Sequence, residues 1–125
     1  MESGLVNGDS SLIGFVEYCL YSAAITDKDI QNWSMHMIEK YDDLPLYMYD
    51  LPDFKKEDYN LYKLIGFATS WGFSEEDKDA LYGIAYKRGF TPYDCPLTKE
   101  GAIRRLEECP HIKKKFREIF PFIEF

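Results

Sequence analysis

The stretch Ser74-Glu75-Glu76-Asp77-Lys78-Asp79-Ala80-Leu81-Tyr82-Gly83-Ile84-Ala85-Tyr86-Lys87-Arg88-Gly89 contains a complete helix signature. Ser74 is a good N-cap, and Asp77 three positions on completes an S-x-x-D capping box. Glu75, Glu76 and Asp77 place negative charge where the helix dipole is positive. Ala80, Leu81, Ile84 and Ala85 recur at helical spacing and form an inward stripe. Lys87 and Arg88 suit the last turn, and Gly89 the position after it.

The same grammar extends in both directions. Thr26 with Asp29 is a second capping-box-like pair, and Asp27 adds charge to that first turn. It opens an amphipathic helix with Ile30, Trp33, Ser34, Met37, Ile38 and Tyr41 on one face, ending near Tyr41. Upstream, Asp9, Ser10 and Ser11 are candidate caps for a helix carrying Leu12, Ile13, Phe15, Val16, Cys19, Leu20 and Ala23. That helix is apolar around most of its circumference, with Glu17 and Tyr21 marking a narrow polar side, so a central, buried position is expected. A third helix is expected from a cap at Asp53 to about Trp71, with Leu61, Leu64, Ile65, Ala68 and Trp71 inward, Phe67 beside them, and Gly72 as C-cap. Downstream, Thr98 caps a fifth helix with Ala102, Ile103 and Leu106. Pro110 opens a sixth with Ile112, Phe116, Ile119 and Phe120, ended by Pro121. The tail Phe122-Ile123-Glu124-Phe125 is apolar enough to pack back on the body.

The fold class expected is therefore all-α, a compact bundle of about six helices. Two αα-hairpins and a C-terminal helical pair would compose it: helices one and two match three and four in outline, with Thr26 and Ser74 at equivalent places. Residues 1–8 read as a flexible start, and 9–125 as a single helical domain. Gly14, Gly66, Gly83 and Gly101 fall inside expected helices, where glycine costs about 1 kcal/mol against alanine. Close helix–helix approach is the expected reason.

Composition narrows the function. At 125 residues, 46% hydrophobic and 17% aromatic, the chain has enough core material to fold without a metal or disulfide. A net charge of -7 argues against nucleic acid or an anionic membrane as partner. The acidity is uneven: residues 1–97 carry 8 Lys/Arg against 17 Asp/Glu, whereas residues 98–125 carry 7 against 5. Three cysteines, Cys19, Cys95 and Cys109, form no close pair and support neither a disulfide framework nor a CxxC site, which fits a reducing cytoplasm. Residues 1–11 have no basic stretch and no long apolar core, so no signal peptide is expected, and no apolar run is long enough to span a membrane.

Catalytic signatures are missing. His36 lies on the polar face of the second helix, and His111 follows Pro110 among Lys113, Lys114 and Lys115; both read as solvated. No metalloprotease, nucleotide-binding or nucleophile-elbow motif occurs. The acidic region from Asp42 lacks the order of a calcium loop. No enzyme activity, cofactor or metal is expected.

One segment stands above this background. Residues 41–62 interleave Tyr41, Tyr47, Tyr49, Tyr59 and Tyr62 with Asp42, Asp43, Asp50, Asp53, Glu57 and Asp58, and Pro45 and Pro52 stiffen them. Tyrosine offers a large contact area at low entropic cost and is enriched in interface hot spots. Surrounding carboxylates complement a basic groove. Asp42, Asp43, Tyr47, Tyr49, Asp50, Asp53, Glu57, Asp58, Tyr59 and Tyr62 are the expected partner-binding residues. The competing reading packs the tyrosines against the helices and leaves the acids as a solvated rim.

With its acidic, cysteine-poor character and its tyrosine–aspartate loop, the chain resembles the helical immunity proteins of bacterial contact-dependent growth inhibition and related polymorphic toxin systems. The resemblance implies tight binding of one copy to one cognate basic, nuclease-type toxin domain, with carboxylates standing in for substrate phosphates. The basic C-terminal quarter departs from that pattern and would face away from the partner. Two alternatives remain: a helical adaptor with an apolar groove, and a small enzyme with a pocket lined by Tyr and Asp that holds a carboxylate of raised pKa.

Overall fold

Each local start and stop signal can be followed into the structure, a computed structural model that describes residues 3–57, 60–70 and 72–125. Among these residues there are six α-helices: α1 Ser11–Tyr21, α2 Asp27–Lys40, α3 Leu61–Ile65, α4 Glu75–Lys87, α5 Lys99–Glu108 and α6 Pro110–Ile119. Two 3-10 turns, Leu46–Tyr49 and Leu51–Asp53, lie between α2 and α3. The only strand-like pairing among the described residues is an isolated bridge between Val6 and Asp9. The protein is all-α, as expected.

The capping boxes form as the sequence implies. Thr26 and Asp29 exchange side chain-to-backbone bonds at the start of α2, and Ser74 and Asp77 do the same at the start of α4. Thr98 accepts the Gly101 amide at the start of α5. Pro110 occupies the first position of α6, where its missing N–H costs nothing. At the end of α4, Gly89 has φ +85, its amide bonds the Tyr86 carbonyl, and the Phe90 amide reaches back to Ala85. This is a Schellman closure, which satisfies carbonyls that the helix leaves open.

Contacts sort the chain into two compact units. One comprises Met1–Glu17 with Thr26–Gly72, the other Tyr18–Ile25 with Phe73–Phe125. In the first unit Leu5, Ile13, Phe15, Val16, Ile30, Trp33, Met48, Leu51 and Phe54 are buried. In the second, Ala80, Leu81, Ile84, Ala85, Ala102, Leu106, Ile112, Phe116 and Phe120 are buried. The tail returns to this second core: Ile123 is buried, and the Phe125 ring meets Phe116 edge-on at 5.5 Å.

Four expectations need correction. The third helix does not run from Asp53 to Trp71. Asn60 caps it, accepting the Tyr62 amide, and Gly66 at φ +89 ends it after Ile65, so Gly66 is a terminator and not a helix-interior glycine. Trp71 lies outside the described residues. The start is not loose from residue 3 to residue 8: the Gly4 carbonyl accepts from the amides of Leu12 and Ile13, and Leu5 is buried. Ala23 lies beyond α1, with a left-handed φ of +65. Glu17 does not mark a solvated side; it is buried, and its Oε1 accepts the Thr69 hydroxyl at 2.7 Å.

Gly83 bears out close helix approach. A Cβ there would run into the Ala102 carbonyl oxygen and would come within 2.8 Å of the Leu106 Cβ. The backbones of α4 and α5 therefore meet at this glycine. Gly101 differs, since a Cβ there would meet only the capping Thr98 hydroxyl, at 3.1 Å.

Candidate functional site

The segment after α2 is built as an anchored loop. Pro45 sets the approach to the first 3-10 turn, and the amides of Met48, Asp50, Asp53 and Phe54 close successive short turns. Leu44, Tyr47, Met48, Leu51 and Phe54 point inward and are buried. Two side chains of α2 hold the far end: the Gln31 amide donates to the Phe54 carbonyl at 2.8 Å, and Asp27 Oδ2 accepts the Lys56 amide at 3.1 Å. The loop is thus fixed by buried anchors and by hydrogen bonds to a helix.

That register decides which of the expected residues face solvent. Asp42, Asp43, Asp50, Asp53 and Glu57 are exposed, and Tyr49 is 45% exposed. Between the acids stands Leu46, 86% exposed, an apolar residue that the sequence reading passed over. Its signal was its position directly after Pro45, at the outward corner of the turn. Lys55 and Lys56 are also exposed and interrupt the acidic run. Tyr62 is 50% exposed on α3, a separate element of the same unit.

Tyr47 is the exception among the expected residues. It is only 8% exposed, its hydroxyl donates to the Leu5 carbonyl, and its ring meets Phe67 edge-on at 6.2 Å. Burial pushes its pKa far above the ordinary tyrosine value. Tyr47 ties the loop to the N-terminal turn. Asp58 and Tyr59 lie outside the described residues.

The second unit holds two further groupings. An open cleft of about 290 Å³ is lined by Tyr18, Tyr21, Tyr82, Glu75, Lys78 and Asp79, among others. Lys78 Nζ lies 4.8 Å from the centre of the Tyr18 ring and 3.3 Å from Glu75 Oε1. Burial raises the Asp79 carboxyl above its usual range, with Arg105 opposing and Glu75 and Glu76 adding to the rise.

The other grouping joins Asp77, Cys109 and His111. His111 Nε2 lies 2.6 Å from Asp77 Oδ1, and one ligand atom from each of the three residues lies within 4.8 Å of the others. Burial pushes Asp77 up, but bonds from His111 and the Ser74 backbone, the His111 charge and the Cys109 thiol hold it below the usual range. Burial raises the Cys109 thiol, and the neighbouring Asp77 charge and hydrogen bond raise it further. His111 is therefore not simply solvated: it is exposed, but bonded. The sequence offered no signal for this, because Asp77 is fully explained as a cap and its partner lies 34 positions away.

No helix among the described residues is long and apolar enough to cross a membrane. No protein-family model matches the chain, and neither a curated protein nor a solved structure matches it.

Proposed function

We propose that the chain is an acidic protein-binding domain that neutralises a cognate basic, nuclease-type toxin by direct contact through its 42–57 loop, as an immunity protein does. One observation supports this reading above the rest. A loop pinned from beneath by Tyr47, Met48, Leu51 and Phe54 holds Leu46 and Tyr49 outward among Asp42, Asp43, Asp50, Asp53 and Glu57. Apolar anchors within a charged rim are the usual anatomy of a contact surface. A loop that is already fixed loses little entropy on docking. The rim selects a cationic partner, because opposed fields favour encounter and like charges repel.

The test is capture of the tagged chain's partner from its native host, followed by quantitative binding to the identified domain. Charge reversal at Asp50 and Asp53 together should weaken binding at least tenfold, about 1.4 kcal/mol, with an unchanged helical circular dichroism spectrum. Leu46→Ala should cost about 2 kcal/mol if this side chain is an anchor. A partner whose affinity ignores all three changes would remove the loop from the interface and defeat the proposal.

A second reading attaches to the Tyr18–Asp79 cleft, since a raised carboxyl in a tyrosine-lined hollow suits a small-molecule site. It requires a ligand whose binding raises the melting temperature of the wild type but not of Asp79→Asn. The helical adaptor reading gains no comparable support, because Leu46 and Tyr49 stand in an acidic rim and not in an apolar groove.

A further inference from the structure

We infer that Asp77, Cys109 and His111 form a binding site for a zinc-class divalent transition-metal ion, with a fourth position open to solvent. The set combines a thiol, an imidazole and a carboxylate, the three side-chain donors that such ions take. Their ligand atoms lie within 4.8 Å of one another, and they come from two separate elements. Thiolate and carboxylate together carry two negative charges, which balance a divalent ion beside a neutral imidazole. Binding releases the thiol proton to solvent.

The fold holds each donor in place. Asp77 is fixed by its capping box, which uses Oδ2 to accept the Ser74 amide at 3.2 Å. Oδ1 is left to face His111. Cys109 and His111 flank Pro110, whose ring fixes the backbone between them at the start of α6. Cys109 is buried with its Sγ 3.8 Å from the Glu76 carbonyl, whereas the His111 side chain is 58% exposed. An ion from solution thus has a path in from the histidine side. Lys114 and Lys115 follow one turn along α6, with Lys115 Nζ over the Phe73 ring at 5.2 Å, and Arg105 is close enough to the Cys109 thiol to oppose the rise of its pKa.

A tetrahedral zinc site with bonds of about 2.0–2.3 Å keeps its donors roughly 3.3–3.7 Å apart. The 2.6 Å Oδ1–Nε2 contact is a hydrogen bond that must open by less than about 1 Å to admit the ion, and any donor separation near the 4.8 Å limit must close by about 1 Å. His111 is the exposed member and supplies the movement. The competing account is that this bond only staples the start of α6 to the start of α4.

Cobalt(II) separates the two accounts, because its spectrum reports thiolate ligation directly. Titration of the reduced, metal-stripped protein should give a one-to-one rise of a sulfur-to-cobalt charge-transfer band with visible bands of tetrahedral intensity. Zinc should displace both. Cys109→Ser should abolish the charge-transfer band, whereas Cys95→Ser should keep it. His111→Gln, at an exposed position, should weaken binding by at least the roughly 10–100-fold that loss of even a supporting group costs such sites. Absence of a thiolate band, its persistence in Cys109→Ser, or unchanged affinity in His111→Gln would each overturn the inference. The first of these, with an unaltered fold, would leave the staple.

Discussion

Two polar contacts inside the first unit carry more than their exposure suggests. Tyr47 donates to the Leu5 carbonyl from a buried position. Tyr47→Phe keeps the ring and orphans that carbonyl, so it should destabilise the protein by about 1–2 kcal/mol in denaturant unfolding. The effect has a pH signature. A tyrosine whose folded pKa is raised contributes stability that is whole below the unfolded value of about 10 and is lost as pH rises above it. Between neutrality and strong alkali, Tyr47→Phe should therefore lose stability less steeply than the wild type. A parallel loss would show that Tyr47 is not the group responsible. Glu17 gives the companion case: its Oε1 takes the Thr69 hydroxyl, and its Oε2 has no partner among the described residues. Thr69→Val keeps the shape and removes the one bond, which should cost about 1–3 kcal/mol. Neither burial was legible in the sequence. A tyrosine between aspartates suits a surface as well as a core, and a glutamate one turn from Ile13 and Leu20 reads as a polar edge until another segment covers it.

At the scale of elements, the legible features were those closed within a few residues. The Thr26–Asp29 and Ser74–Asp77 boxes, Pro110 and Gly89 all act on backbone groups of their own helix, so sequence spacing determines them. The third helix failed because periodicity alone was carried across a glycine. Leu61, Leu64, Ile65 and Ala68 keep helical spacing, but Gly66 turns to φ +89 and Ala68 is exposed. Gly66 and Gly83 predict opposite mutational behaviour. Gly66→Ala should cost about 1–2 kcal/mol through left-handed strain, and Gly66→Asn should recover most of it, because asparagine tolerates that region. Gly83→Ala would gain about 1 kcal/mol in helix propensity. That gain is outweighed by forcing a Cβ against the Ala102 carbonyl, where overpacking costs about 1–3 kcal/mol or more. Gly83→Asn should be worse still. Melting curves of the four variants decide whether each glycine is present for its torsion or for its small size.

At the scale of the whole molecule, charge is the property that the sequence states most directly, and proximity across the chain the one it hides. Asp77 and His111 could not be paired from spacing, whereas the excess of acids over residues 1–97 is a simple count. That excess sets the kinetics of the proposed association. Long-range attraction acts before contact and is screened over about 8–10 Å at physiological salt, so it governs the on-rate. Leu46 and Tyr49 act only after contact and govern the off-rate. Binding to the basic partner, followed by stopped flow, should therefore slow in association as salt rises from about 0.01 M to 0.5 M, with little change in dissociation. Charge reversal at Asp42 and Asp43 should flatten that salt dependence. Leu46→Ala and Tyr49→Ala should leave it intact and speed dissociation. If the loop is only a solvated rim, the two pairs of substitutions will not divide in this way, and salt will act on association alike in all of them.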